Sequence, residues 1–164
     1  MRKVVVIGNN GTGKSVSAVK LGKKLNLPVI HLDTYFHKPG WTKVSNEEWD
    51  KIHGEFIKGK EWIMDGTYKR TLDKRINAAD TVIFLDFPKW LAFYRMVRRR
   101  ILNRNSRRPD MPEFLTERLS MILLRKNLTF SKKRIYQILQ KYNDTKVIII
   151  LKNNKEVDRF LKEV

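Results

Sequence analysis

The chain has 164 residues, 41% hydrophobic and 10% aromatic, which suits a single packed domain over residues 1–164 and argues against disorder. It contains no cysteine, excluding disulfides and thiolate metal sites, and no apolar run approaches the roughly 18–20 residues that span a bilayer. Lys plus Arg total 35 against 17 Asp plus Glu, so the net charge of +18 predicts attraction to polyanions without choosing between nucleic acid and a nucleotide triphosphate.

The first element is the apolar run Val4-Val5-Val6-Ile7, which reads as a buried strand over residues 3–7. Its start within three residues of Met1 leaves no room for a signal peptide, so a cytoplasmic location is expected. Directly after it, Gly8-Asn9-Asn10-Gly11-Thr12-Gly13-Lys14-Ser15 matches the phosphate-binding pattern G-x-x-x-x-G-K-[ST] at every position. Val16, Val19, Leu21 and Leu25 then recur at helical spacing and predict a helix over residues 14–25. Strand, glycine-rich loop and helix in this order are the context the pattern requires. Glycines allow the backbone to bring successive N–H groups onto phosphate oxygens, and the helix start adds its positive dipole end. Gly8 through Val16 are therefore expected to hold ATP or GTP, with Lys14 on the β- and γ-phosphates and Ser15 on Mg²⁺.

Further strands are predicted at residues 28–32, 62–64, 81–85 and 146–151, mostly as short apolar runs of the kind found in parallel sheets covered on both faces. Helices are predicted at 46–58, 71–78, 88–104, 113–126, 131–141 and 155–162, with Ser45 and Glu48 forming a capping box. This alternation predicts an α/β fold: a five-stranded parallel sheet flanked by helices in three layers, with ligands beyond the carboxyl ends of the strands. Three of the first four strand ends carry an aspartate. Asp33 is followed by an aromatic and basic loop and is the candidate base or substrate-orienting group. Asp65 is the candidate magnesium carboxylate, reaching the ion through water, whereas Asp86 is expected to cap the helix beginning near Pro88.

His31 and His37 lack a metal-ligand spacing and are expected to be structural or to touch substrate. Tyr35, Phe36 and Trp41 either stack on a substrate ring or close the core, their loop position favouring the substrate, and Trp49, Ile52 and Phe56 are expected in the core. Between residues 95 and 108 lie seven arginines and no acid: Arg95, Arg98, Arg99, Arg100, Arg104, Arg107 and Arg108. Projected on a helix, Trp90, Phe93, Tyr94, Val97 and Ile101 form a face expected to pack on the sheet, with Arg95, Arg98 and Arg99 opposite. Arg99, Arg107 and Arg108 are assigned to a lid over about 95–134 that neutralises a transferring phosphoryl group, against the alternatives of a solvated basic face or a nucleic-acid footprint.

The phosphate loop, His31-Leu32-Asp33, Lys38-Pro39-Gly40-Trp41, Glu48-Trp49, Trp62 through Tyr68, Val82 through Asp86, and Arg107-Arg108-Pro109-Asp110-Met111 together resemble the topology modulation protein (FlaR-related) family. These are P-loop proteins similar to adenylate kinase, and the resemblance spans roughly residues 3 to 160. It implies a small-molecule or nucleotide kinase, while the family name implies an effect on DNA topology. Asp65-Gly66 resembles the Asp-Gly element of adenylate-kinase-like enzymes, but Thr67-Tyr68-Lys69 stands where Phe-Pro-Arg usually follows, which argues against a nucleoside monophosphate acceptor. Asp33 resembles the aspartate that contacts acceptor hydroxyls in gluconate- and shikimate-kinase-like enzymes. Arg134 falls where a second lid-side arginine is common, and residues 151–154 fall where adenine is held by backbone.

The sequence thus predicts an ATP- and Mg²⁺-dependent phosphotransferase acting on an unidentified small molecule, with non-specific nucleic-acid attraction and no membrane partner. A nucleotide-switched basic DNA-binding regulator and an acceptor-free NTPase are the alternatives.

Overall fold

A computed structural model describes residues 1–38, 42–102 and 127–164. Pro39, Gly40, Trp41 and the predicted helix at 113–126 lie outside the described residues, as do Arg104, Arg107 and Arg108. The strands are β1 (Lys3–Gly8), β2 (Val29–His31), β3 (Trp62–Asp65), β4 (Thr81–Leu85) and β5 (Val147–Leu151). All pair in parallel in the order β2-β3-β1-β4-β5. The helices are α1 (Lys14–Leu25), α2 (Leu32–Phe36), α3 (Asn46–Lys58), α4 (Lys69–Ala78), α5 (Lys89–Leu102), α6 (Lys132–Gln140) and α7 (Asn154–Glu163).

Strand alternation divides the core into two layers. Val5, Ile7, Met64, Val82 and Phe84 pack with Leu72 and Ile76 of α4 and Ile135 and Leu139 of α6. On the other face, Val4, Val6, Ile63, Ile83 and Leu85 pack with Ala18 and Leu21 of α1 and Val157 of α7. Because the central strands are buried on both sides, nearly every position in them is apolar, and this made them readable in sequence. A third cluster of Leu32, Val44 and Trp49 closes the edge beneath α2 and α3.

Two sequence expectations fail, each for a packing reason. The segment after β2 is a short helix rather than a loop, and Phe36 packs against Trp49 and Tyr68, with ring centroids 4.7 and 4.6 Å apart, instead of facing a substrate. Second, α5 does not turn the expected face inward: Trp90, Tyr94 and Ile101 are 70%, 56% and 71% exposed, while Ala92 and Met96 are buried and Leu91 packs on the core. The inner face is set by the phosphate loop, since a Cβ at Gly11 would stand only 2.1 Å from the Ala92 carbonyl oxygen. Backbone meets backbone there, so a small residue must face inward and the rings turn out.

The capping box forms in half: Ser45 Oγ accepts from the Glu48 amide at 3.1 Å, while the Glu48 carboxylate takes Lys38 at 2.7 Å. In α3, His53 is buried with Nδ1 3.0 Å from the Trp49 carbonyl oxygen, which makes Nδ1 the protonated nitrogen of a neutral ring. Burial pushes its pKa from 6.5 down to about 4, with the Arg75 charge adding to the effect. The unfolded chain therefore binds a proton at this ring below about pH 6.5 that the folded chain refuses until about pH 4. Stability contributed by the neutral ring is expected to fall across that window by about 1–2 kcal/mol after solvent screening. Denaturant titrations at pH 7 and pH 4.5 should show a smaller pH loss in His53→Phe than in the native chain. Equal losses in both would show that His53 takes no part.

Candidate functional site

The loop between β1 and α1 is shaped for close approach. Gly11 and Gly13 have φ of 86° and 90°, a region that side chains rarely tolerate. Gly13 is the residue before α1, no side chain caps this helix start, and no acid occupies its first turn. By contrast, Ser45, Ser131 and Asn153 supply side-chain caps to α3, α6 and α7. The starts of α2 and α4 also lack side-chain caps, so what sets α1 apart is the left-handed glycine loop ahead of it, a shape suited to a phosphate. Lys14 stands at the first position of the helix, and its Nζ donates to the Asn9 carbonyl oxygen at 3.0 Å. Ser15 follows and is half-buried, whereas Val16 is exposed.

Three clamps hold this loop, none of them evident from the pattern. Asn9 is buried and its Nδ2 donates to the Asn127 carbonyl and Oδ1 at 3.0 and 3.2 Å. Asn127, also buried, returns a hydrogen bond from Nδ2 to the Asn10 carbonyl oxygen at 2.8 Å. Thr67 Oγ1 accepts from the Gly8 amide at 2.9 Å and donates to the Gly8 carbonyl at 2.7 Å. Thr12 Oγ1 donates to the Asn9 carbonyl at 2.8 Å.

The carboxyl ends of β2 and β3 bring His31 and Asp65 together. His31 and Asp65 are register partners, so their side chains emerge on the same face, and alternation places that face on the α1 side. His31 Nδ1 lies 3.1 Å from Asp65 Oδ2. Asp65 is only 5% exposed, and its Oδ1 has no hydrogen-bond partner among the described residues. A buried, half-satisfied carboxylate on the α1 face has an oxygen to spare for a water of a magnesium ion, were one held there. Among the described residues no group of three or more His, Cys, Asp or Glu side chains is placed to hold a metal ion.

Asp33 sits in α2, where Oδ1 accepts a short hydrogen bond from the Tyr68 hydroxyl. Burial and the Asp33 charge push the Tyr68 phenol well above its ordinary pKa, so it stays a donor. Asp33 itself is half-buried.

Beneath this loop lies a residue that the sequence reading passed over. Arg75 of α4 is wholly buried, donating from Nη1 to the Gly66 carbonyl at 2.8 Å and from Nη2 to the Tyr68 carbonyl at 3.1 Å. Burial lowers its pKa to about 10, partly offset by Tyr68 and Asp65, so it remains a cation at neutral pH. Its signal was its place beside Leu72 and Ile76 on the apolar stripe of α4, where an arginine must have carbonyl partners. Residues 66–68 thereby connect the donor loop, through Thr67, to Asp33, through Tyr68.

The remaining sequence candidates scatter. Asp86 takes Lys132 Nζ at 2.6 Å and the Tyr136 hydroxyl at 2.7 Å, so its carboxylate joins α6 instead of capping α5. Arg95 is half-buried rather than opposite the packed face, its guanidinium 5.2 Å from the Phe87 ring centre and Nη1 3.3 Å from Asn154 Oδ1. Arg99 is likewise half-buried, Arg98 and Arg134 are exposed, and Arg107 and Arg108 lie outside the described residues. At 151–154, the Lys152 amide donates to Glu156 at 2.7 Å. No described helix is long and apolar enough to cross a membrane.

No protein-family model matches the chain, and no curated protein sequence matches it. Solved structures do. A gluconokinase from Sinorhizobium meliloti 1021 aligns over 99% of this chain and 92% of its own, with a TM-score of 0.56 and 16% identity. The shikimate kinase of Bacteroides thetaiotaomicron aligns over 98% and 94%, with a TM-score of 0.52 and 18% identity. That of Aquifex aeolicus vf5 aligns over 98% and 91%, with a TM-score of 0.52 and 15% identity. The chain therefore shares the P-loop NTPase fold of these structures, a parallel five-stranded sheet between helical layers.

Proposed function

We propose that this protein is an ATP-dependent, Mg²⁺-requiring phosphotransferase that transfers a phosphoryl group to a small-molecule acceptor held at Asp33. The observation that carries this reading is the uncapped start of α1, fronted by left-handed Gly11 and Gly13 and bearing Lys14. The kinase fold supports it, and the sequence motifs favour membership of the topology modulation protein family.

In this reading Gly8 through Val16 embrace the donor phosphates with main-chain amides, and Lys14 leaves the Asn9 carbonyl for the β- and γ-phosphates. Ser15 and Asp65 hold Mg²⁺, which when bound neutralises charge building on the phosphate oxygens. Asp33 accepts the proton of the acceptor hydroxyl, fixed for that task by Tyr68. Arg99, Arg107 and Arg108 stabilise the transferring group, with Arg95, Arg98 and Arg134 in support. The cysteine-free composition fits a cytoplasmic location, and the +18 charge adds a salt-sensitive, sequence-independent attraction to nucleic acid.

Titration calorimetry of Mg·ATP against the native chain and Lys14→Ala tests the donor site. The variant is expected to bind at least about tenfold more weakly, from the loss of one charge-assisted contact to phosphate. Unchanged affinity, in a variant with a native melting curve, would remove the donor-site assignment.

A further inference from the structure

Resting on the donor-site reading, we propose that Asn127 is a positioning residue of the phosphate loop, which it pins through Asn9 and Asn10 in the shape that receives Mg·ATP. Asn127 is wholly buried and Asn9 is 3% exposed. Buried amides must find partners within the protein, and these two find each other. Asn9 Nδ2 donates to the carbonyl and Oδ1 of Asn127 at 3.0 and 3.2 Å, and Asn127 Nδ2 donates to the Asn10 carbonyl at 2.8 Å. Asn9 Oδ1 accepts from the Asn10 amide at 2.8 Å, so both ends of the Asn9 side chain are engaged in this turn.

The consequence is a fixed orientation of the backbone. The Asn9 carbonyl is held from within the loop by the Thr12 hydroxyl at 2.8 Å and Lys14 Nζ at 3.0 Å. The Asn10 carbonyl is held by a residue outside the loop, Asn127. No described peptide bond is cis, and the carbonyl and N–H of a trans peptide point opposite ways. Fixing the Asn10 carbonyl on Asn127 therefore turns the Gly11 N–H away from Asn127 and keeps that carbonyl from facing a phosphate. When Lys14 leaves Asn9 for the phosphates, the Thr12 and Asn127 contacts still hold the turn.

Asn127 is anchored in its own right. Its carbonyl also accepts the Phe130 amide at 3.3 Å, and the Phe130 ring is buried in the core. Lys89 Nζ of α5 reaches the Leu128 carbonyl at 3.4 Å. Residues 127–130 thus tie the phosphate loop to the core and to α5. A loop shaped before its ligand arrives does not have to be ordered by that ligand, so loss of the clamp falls on affinity.

The test is titration calorimetry of Mg·ATP against the full native chain, Asn9→Ala, Asn127→Ala and the double variant. Each single change is expected to weaken binding at least about fivefold while the stoichiometry stays at about one. The double variant is expected within about threefold of the weaker single variant, because both changes remove the same contact. A purely structural role would lower the stoichiometry through misfolding and leave the affinity of the remaining sites unchanged. That result overturns the proposal, as does an additive loss in the double variant. Hydrogen exchange of the native chain covers a variant that does not fold: Mg·ATP is expected to slow the Phe130 amide along with the loop amides. Protection of the loop with no change at Phe130 also overturns the clamp. Absence of heat with Mg·ATP on the native chain overturns the donor-site reading itself and is thereby told apart.

Discussion

Asp33→Asn is expected to lower acceptor phosphorylation by about 10²- to 10⁴-fold while leaving Mg·ATP affinity within about twofold. Asparagine preserves the shape of the side chain and can still accept the Tyr68 hydroxyl through Oδ1, so α2 and the aromatic packing around it should survive. What disappears is the ability of the second oxygen to take a proton. The loss should therefore fall on kcat, not on donor binding. Single-turnover transfer, read beside calorimetry with Mg·ATP, separates the two. Native turnover in the variant would exclude Asp33 as base or orienting group. Tyr68→Phe makes a useful companion, because it frees Asp33 from its hydrogen bond without removing the carboxylate.

Arg75→Met should be the most damaging change to stability, at about 2–5 kcal/mol. Methionine fills much of the volume of the arginine stem, so the effect isolates the guanidinium more cleanly than alanine would. Two carbonyl oxygens, of Gly66 and Tyr68, would lose their donors, and the buried Asp65 would lose a neighbouring cation. For a domain of this size the thermal midpoint should drop by about 5–15 °C. Arg75→Lys should recover only part of the loss, since an ammonium does not reproduce the forked geometry that reaches both carbonyls. A midpoint within about 2 °C of native for Arg75→Met would mean that water replaces the guanidinium without cost. Because residues 66–68 also carry Thr67 and Tyr68, donor affinity and turnover should both suffer at temperatures where the variant stays folded.

The loop and sheet were legible because each is fixed by local rules. A buried parallel strand must be apolar at nearly every position, as β1 and β4 are, and a tight loop needs glycine where φ is positive, as at Gly11 and Gly13. Periodicity could not say which face of α5 turns inward. Side-chain size alone pointed to Trp90 and Tyr94, but the Gly11–Ala92 approach is a contact between backbones 81 positions apart and leaves no periodic trace. The aspartates were visible as strand-end residues, yet only register could pair His31 with Asp65, and only packing could put Asp86 on α6.

By itself, then, the amino-acid order determined the α/β class, the position of the glycine-rich loop and the strand ends that carry the candidate aspartates. These depend on neighbours a few residues apart. Tertiary structure alone decided the strand order β2-β3-β1-β4-β5, the Asn9–Asn127 clamp 118 residues apart and the burial of Arg75 under residues 66–68. The reason is that a buried polar group must find a donor or acceptor wherever the folded chain supplies one, and that partner carries no mark in the sequence around it.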